Sequence, residues 1–309
     1  MESSILSVAQ GFNLRCTKSK IYKDKFGHVC ATAQGPVRLQ RAGGGAQAVI
    51  FQHEIKEHLH KNGFAVDRFI ISSQGAPYLR IDNDIYTACN LRTDPNIDFT
   101  DGPAFLDFVR HMAKIHNSLF EASLTRAPVT PKTGADAAKL LDNLTILRKK
   151  LLRAGKFSDF DMLFLRGYEK FAPFIVAFDD AVNGAALKHI CHNLLKEENI
   201  FVTGGQIAVT NFSEAAQKHH LHDLAYITKR RVKAKPKENM PIGKILETYG
   251  SVPGSTPDEV LFRRILLYPD KFIKVTMDYY SKKRSFAPNT YLSRMQECLR
   301  AGAVLSESL

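Results

Sequence analysis

Six basic side chains fall within nine consecutive positions of the chain, and no acid interrupts them. Runs of this kind are usually solvated surface, and the functional alternative is a patch that binds acidic proteins, nucleic acid or another anionic polymer. Aromatic side chains for base stacking are not interleaved with the cations, which argues against nucleic acid. The candidate anion-binding residues are Lys229, Arg230, Arg231, Lys233, Lys235 and Lys237.

Four histidines could supply imidazole ligands to a metal ion, namely His219, His220 and His222 together with the earlier His192. Imidazole binds zinc well, but these residues do not follow a zinc-ligand spacing. The five cysteines are odd in number, widely spaced and without a C-x-x-C pair. We therefore predict no metal site, no disulfide framework and synthesis in a reducing compartment.

The chain has 309 residues, which is long enough for two lobes or domains. The helices and strands that position these residues therefore belong to a globular protein. With 44% hydrophobic and 24% charged residues, the composition excludes a wholly disordered, collagenous or coiled-coil chain. The net charge of +12 favours acidic partners but does not identify one. A basic leader and a run of about 18 apolar residues are both missing, so we predict neither a signal peptide nor a membrane span.

The first hundred residues predict an antiparallel sheet with one helix against it. The helix is expected between the Gly43–Gly45 break and Gly63, where apolar residues recur at helical spacing. Short β-rich runs separated by glycine-containing turns predict the strands, at residues 29–32, 37–40, 69–72, 78–81 and 85–88.

From Asp101 onward the periodicity becomes helical. Helices are predicted over residues 103–120 with Asp101 as N-cap, over 136–153 ending at Gly155, and over 161–182. A further helix is expected after residues 256–259, where Thr256 would be the N-cap of a capping box. One segment differs, because two strand-like runs joined by Gly204-Gly205 predict a tight hairpin at residues 199–211.

This order of sheet, helix, helical lobe and embedded hairpin resembles the aminoglycoside-phosphotransferase and choline-kinase-like branch of the protein-kinase fold. More closely, it resembles the CotS-type spore coat family within that branch. The resemblance spans residues from about 35 to 295 and is carried by residues 57–64, 112–116, 190–192, 199–202, 222–224, 268–272 and 279–283. It implies an α+β, two-lobed fold: a sheet-rich lobe at 1–90 with one helix, a hinge at 91–100, and a helical lobe at 101–309.

The resemblance also implies which positions would carry phosphoryl transfer, and three of them hold the wrong residue type. The family's catalytic-loop acid corresponds to Leu194, which cannot accept a proton. The metal-binding aspartate corresponds to Asn211, a neutral and weaker ligand for Mg²⁺. The phosphate-binding lysine corresponds to Gln40, so the fixed positive charge is missing from that position.

Other family positions are retained as scaffold, namely His192 and Asp223 around the catalytic loop, Asn199 as the second metal-ligand position, and Glu57 after the first helix. The acids Glu197, Glu198 and Glu214 lie close in sequence to the lost groups and could replace them. The preferred interpretation is that they are solvated surface acids, because a shift of one residue re-aims a side chain.

The sequence thus predicts a catalytically inactive, pseudokinase-like protein without cofactor, acting as a structural or interaction component of the bacterial endospore coat. It would be made in the mother-cell cytoplasm and bind other coat proteins or an anionic surface, with its oligomeric state open. One alternative is a phosphotransferase for a small molecule or sugar with relocated acids. A second is a non-catalytic module that binds a ligand between the lobes.

Overall fold

The computed structural model describes residues 2–21, 27–120, 122, 124, 133–184, 189–235, 241–281 and 288–307. The chain divides into two compact units, which we describe separately. The first contains Met1–Val129 with His189–Gln217, and the second contains Thr130–Lys188 with Lys218–Leu309. The predicted hairpin therefore belongs to the same unit as the N-terminal sheet. The lobe boundary expected at residues 91–100 stays a prediction.

The first unit is built on an antiparallel sheet. Strands β1 to β6 lie at Lys18–Ile21, Gly27–Thr32, Gly35–Arg41, Ala65–Val66, Leu79–Ile81 and Asp84–Asn90. All except β4 form one sheet in the order β1-β2-β3-β6-β5. The strand predicted at residues 69–72 is wrong, since only Phe69 forms an isolated bridge, to Cys89. The Ser72 side chain instead donates to the Tyr78 carbonyl at 2.7 Å and closes a turn.

Two helices accompany this sheet. Helix α2 (Gly45–Lys61) confirms the predicted helix, but helix α1 (Glu2–Gly11) was not predicted. A side chain at Gly11 would collide with Leu79, so the close approach of α1 to β5 requires a glycine. Helix α1 and Phe12, which follows it, pack against the sheet in a buried apolar cluster formed by Ile5, Val8, Ala9, Phe12, Cys30, Val37, Leu39, Leu79 and Ala88.

A disulfide joins Cys16 to Cys30, so the prediction of a chain without disulfides is wrong for this pair. The chain before β1 lies against β2, where the Thr17 amide donates to the Ala31 carbonyl at 2.9 Å. This places the two Cα atoms 5.4 Å apart, within the range that a disulfide spans. Cys89, Cys191 and Cys298 remain thiols.

The remaining helices confirm the predicted helical character of the rest of the chain. Asp101 caps α3 (Gly102–Phe120) through its carboxylate, which accepts from the Ala104 amide at 3.4 Å. Gly155 ends α4 in the left-handed conformation, with φ 65°. In the second unit, helices α4 to α10 occupy Thr133–Ala154, Asp159–Gly184, Leu221–Ala234, Ile242–Gly250, Glu259–Leu267, Asp270–Ser281 and Pro288–Glu307.

The predicted helix after residues 256–259 is present, but its predicted N-cap, Thr256, is wrong. Asp258, rather than Thr256, caps α8, accepting from the Leu261 amide at 2.9 Å. A reciprocal box occurs instead before α5. There the Ser158 amide donates to the Asp161 carboxylate at 2.8 Å, while the Asp161 amide donates to the Ser158 hydroxyl at 3.3 Å.

The hairpin is formed as predicted. Strands β7 to β10 lie at His189–Cys191, Ile200–Thr203, Gln206–Val209 and Ala216–Lys218. Gly204 and Gly205 connect β8 to β9 with positive φ angles of 54° and 79°, which suits a two-residue hairpin turn. Strand β4 pairs in parallel with β9, opposing Val66 to Val209. This register brings the residues that follow each strand side by side. Among the described residues, none of the helices is both long and apolar enough to cross a membrane.

Candidate functional site

The hairpin and the end of β4 bring the predicted metal-site positions into one polar network in the first unit. Asn199 ends a short 3-10 turn before β8, and Asn211 follows β9. The Asn211 side-chain amide donates to the Asn199 side-chain oxygen at 3.4 Å. Asn199 in turn donates its side-chain amide to the Leu194 carbonyl at 2.9 Å. The two amide side chains are therefore bonded to each other and to the loop.

An ion pair that was not predicted lies beside Asn211. Lys56 Nζ of α2 is 3.1 Å from Asp67 Oδ1, and the two side chains are only 2% and 8% exposed. The same carboxylate oxygen accepts from the Asn211 backbone amide at 3.2 Å. Asp67 is thus a buried acid next to the predicted metal position, and a lysine of the same unit balances its charge.

Two further groups enclose this pair. The Lys56 ammonium lies 3.8 Å from the centroid of the Phe69 ring, a cation–π contact. Burial, together with the neighbouring Asp67 carboxylate to which the thiol donates, raises the pKa of the Cys89 thiol to about 11. Cys89 is therefore a protonated donor near neutral pH rather than a nucleophile.

His192 holds the predicted catalytic loop in place. Its Nδ1 accepts from the Leu194 amide at 3.1 Å, which requires the proton to be on Nε2. Nε2 then donates to the Thr210 carbonyl at 2.8 Å. Since the ring is 3% exposed and lies 4.6 Å from the Phe212 ring, it ties the loop to the end of the hairpin.

The position predicted for the phosphate-binding lysine is on β3. Gln40 is opposite Gly27 on one side and Thr87 on the other, and its side chain is half-buried. Val37 and Leu39 point into the apolar cluster with α1, so Arg38 and Gln40 face the opposite side of the sheet. A neutral amide therefore occupies this part of the strand face.

The three candidate replacement acids differ from Asp67 in their surroundings. Glu198 is exposed and lies 3.6 Å from Lys196 Nζ. Glu214 is also exposed, and its backbone carbonyl accepts from the Asn193 side chain at 2.9 Å. Glu197 is half-buried in the turn that leads to Asn199. Their role stays a prediction.

Glu57 of α2 binds Arg68 rather than a residue of the hairpin. The Arg68 guanidinium donates two hydrogen bonds, at 2.7 and 2.8 Å, to the two carboxylate oxygens. The guanidinium lowers the pKa of Glu57, and Arg68 is half exposed. On adjacent helix positions, Glu57 thus faces a surface arginine while Lys56 faces the buried Asp67.

The remaining scaffold acid and three of the histidines lie in the second unit. Asp223 is 1% exposed in the first turn of α6. His219 accepts from the Leu221 amide at 3.3 Å, and His220 stacks on Tyr249 at 5.6 Å. Burial lowers the pKa of His222 to about 3. Within the part of the chain that the structure describes, no cluster of three or more histidine, cysteine or acidic side chains could hold a metal ion.

The predicted anion-binding run is divided between buried and exposed residues. Lys229 donates to the Tyr268 carbonyl at 2.8 Å, and Arg231 is 4% exposed. Arg230 lies over the Tyr226 ring at 6.0 Å, whereas Lys233 is exposed and forms an ion pair with Glu297. Lys235 follows the last turn of α6, and Lys237 lies outside the described residues. The anion-binding role stays a prediction.

Lys56 and Asp67 were missed, although the sequence contained a signal for each. Lys56 is seven residues after Val49 and three before Leu59, which places it on the apolar stripe of α2. Asp67 directly follows the apolar pair Ala65-Val66. A lysine on an apolar stripe and an acid at a strand end are the two halves of a buried pair.

No family model matches the chain, and no curated protein matches it. Solved structures do. An aminoglycoside phosphotransferase from Alicyclobacillus acidocaldarius superposes with a TM-score of 0.81 at 16% identity, covering 98% of this chain and 94% of the other. A spectinomycin phosphotransferase, solved with ADP and spectinomycin, gives 0.72 at 13% identity over 100% and 98%. A choline kinase from Streptococcus pneumoniae gives 0.59 at 12% identity over 98% and 99%.

These similarities confirm the predicted fold class. The chain has the α+β, protein-kinase-like fold of the aminoglycoside phosphotransferases and choline kinases. Identities of 10–16% among the first four structures show the fold and leave the activity to the residues of the site.

Proposed function

We propose that this chain is a kinase-fold protein that has lost phosphoryl transfer and serves as a structural or interaction component of the bacterial endospore coat. The hydrogen bond between Asn199 and Asn211 carries the first half of the proposal. Both residues stand at positions where the family resemblance predicts metal ligands, and neither has a charge to offer Mg²⁺. The nearby carboxylate of Asp67 is already balanced by Lys56.

The charges around this site also differ from those that phosphoryl transfer uses. In protein kinases a strand lysine holds the phosphates and is paired with a helix glutamate. Here the strand position is Gln40, and the helix supplies the lysine, Lys56, whose ammonium is buried against Asp67 and Phe69. A 2%-exposed ammonium in an internal pair is not available to a nucleotide. Leu194 stands in place of the catalytic-loop carboxylate. Phosphoryl transfer would therefore lack its general base, its metal-binding carboxylate and its phosphate-binding lysine.

The coat assignment is supported by the resemblance to the CotS-type family across residues 35–295. A fusion to a fluorescent protein, produced in the mother cell of a sporulating bacterium, is expected to form a shell around the forespore. Fluorescence that stays diffuse in the mother cell after the coat has assembled would contradict the coat role and leave the loss of catalysis standing.

Calorimetric titration tests the loss of phosphoryl transfer directly. The full chain is titrated with ATP in the presence and absence of Mg²⁺, and ADP formation is followed in parallel. We expect no saturable heat and no turnover above that of the buffer. Metal-dependent, saturable binding followed by ADP formation would sink the proposal, and binding without turnover would favour the ligand-binding module.

A second candidate, a small-molecule phosphotransferase with a relocated acid, is favoured by one observation. The Asp67 carboxylate accepts from the backbone amide of Asn211, so an acid does stand beside the predicted metal-ligand position. This candidate requires Asp67 to leave Lys56 and bind the metal. It predicts that the wild-type chain forms ADP and that the variant Asp67→Asn does not.

A further inference from the structure

A groove of about 570 Å³ runs along one face of α10 in the second unit. Its lining side chains recur every three or four positions, as a single helix face requires. They are Asn289, Thr290, Ser293, Arg294, Glu297 and Arg300. Three small polar side chains thus form one end of the groove, and charged side chains form the other.

The charges of this groove are predominantly positive. Arg294 and Arg300 are both exposed. The one acid of the lining, Glu297, lies 2.7 Å from Lys233 Nζ of α6, and this contact lowers the pKa of the glutamate. Glu297 is therefore ionised and paired with Lys233, and Arg300 also lies close enough to lower its pKa. Because Arg294, Arg300 and Lys233 outnumber Glu297, the face has a positive excess for an incoming anion.

Neighbouring helices add to this positive character. Lys271 of α9 is exposed and close enough to act on the charge of Glu297. The nearest acid on α9, Asp270, lies 3.7 Å from Lys229 Nζ. Around Glu297 the cations Lys233, Lys271 and the two groove arginines therefore exceed the acids.

The dimensions suit a short peptide. Eleven residue steps separate Asn289 from Arg300, which corresponds to about 16 Å along the helix axis. An extended peptide rises about 3.3 Å per residue, so about five residues would fill this length. The side chains of Asn289, Thr290 and Ser293 can donate to and accept from a peptide backbone, and the arginines can bind carboxylates in a bidentate manner.

We infer that this face of α10, together with Lys233, is a docking surface for an acidic peptide segment of a partner protein. A nucleic acid fits less well, because among the described residues the lining has no aromatic side chain on which a base could stack. The inference goes beyond the proposed function and holds whether or not the chain transfers phosphate. It also differs from the basic run predicted by sequence, of which it keeps the exposed Lys233.

Fluorescence anisotropy of a labelled peptide of eight glutamates, titrated with the full chain, tests this surface. At 50 mM NaCl we expect saturable binding that weakens at least tenfold at 300 mM NaCl, since exposed charges are screened by salt. The double variant Arg294→Gln/Arg300→Gln is expected to bind at least tenfold more weakly. Glu297→Gln removes the acid found among the described lining residues and is expected to strengthen binding about threefold.

The matched control removes two exposed lysines of α4, as Lys149→Gln/Lys150→Gln, for the same change in net charge. This variant is expected to change the affinity less than twofold. Equal weakening by both double variants, or no binding of the peptide by the wild-type chain, would overturn the proposal. Tighter binding of an eight-residue thymidine oligonucleotide than of the peptide would overturn it in favour of nucleic acid.

Discussion

Lys56 Nζ and Asp67 Oδ1 form a buried ion pair of 3.1 Å in the first unit, beside the predicted metal position at Asn211. The pair links α2 to the end of β4. Because Asp67 also accepts from the Asn211 amide, it fixes the turn that follows the hairpin. The lysine and the acid thus act as a structural brace at a place where related folds carry out chemistry.

Removing one partner of this pair should be costly. Lys56→Met would leave Asp67 buried and unbalanced, and a loss of about 3–5 kcal/mol in the free energy of unfolding is expected. The double variant Lys56→Met/Asp67→Asn should recover most of it, because the amide oxygen still accepts from Asn211. Urea denaturation at pH 7 measures both. Arg68→Gln, in the half-exposed pair with Glu57, is the control and should cost less than about 1 kcal/mol.

Restoring a carboxylate at the metal position should create sensitivity to Mg²⁺. In Asn211→Asp, the new carboxylate would lie beside Asp67, so we expect a lower melting temperature without metal and its recovery at 10 mM Mg²⁺, of about 2–4 °C. The wild-type chain should not respond. Asn143→Asp, on an exposed position of α4, is the control. A wild-type response as large as that of the variant would show that the site already binds metal.

The disulfide should stabilise the first unit. Cys16 and Cys30 are 14 residues apart, and closing a loop of this size is worth about 3 kcal/mol in the chain-entropy model. Urea denaturation with and without dithiothreitol should show a loss of about 2–3 kcal/mol on reduction. Cys16→Ser should behave like the reduced wild type and ignore the reductant. Equal stability of the oxidised and reduced chains would contradict this.

Two buried histidines should make the chain sensitive to acid. Burial lowers the pKa of His111 to about 4 and that of His222 to about 3, from ordinary values near 6.5. Below pH 6.5 the unfolded chain therefore binds more protons than the folded chain, and stability falls with falling pH until the folded pKa values are reached.

Each histidine should contribute a slope of up to about 1.4 kcal/mol per pH unit between pH 6 and 4. Urea midpoints at pH 7, 6 and 5 measure this slope. His111→Gln should reduce it, whereas His60→Gln, at an exposed position of α2, should leave it unchanged. An unchanged slope in His111→Gln would show that this histidine is not the source.

The sequence was sufficient for the fold where local chemistry dominates. Gly204-Gly205 predicted the hairpin because few other residues adopt two consecutive positive φ angles. The periodicity of residues 103–120 predicted α3 with its cap. Helix α1 is short, with only ten residues, and Ile5 and Val8 alone are too few apolar positions to predict a helix from periodicity.

The site was harder to predict because its contacts join distant segments. Asp67 meets the Asn211 amide because β4 pairs with β9, and this parallel register spans more than 140 residues of sequence, from Val66 to Val209. The disulfide likewise depends on how the chain bends before β1. Neither pairing produces a periodic pattern in the sequence. The sequence therefore shows the separate residues but does not predict that they are in contact.

Asn193 and Asn211 adopt left-handed backbone angles, with φ 61° and 62°. Asparagine and aspartate are the non-glycine residues that enter this region most readily, because their short side chains can bond locally. Aspartate at position 211 can therefore adopt the same backbone angles as Asn211 without added strain. The backbone at Asn211 can therefore accept a carboxylate without rearrangement, and the proposed difference between a chain that ignores Mg²⁺ and one that responds to it is one oxygen in place of one nitrogen.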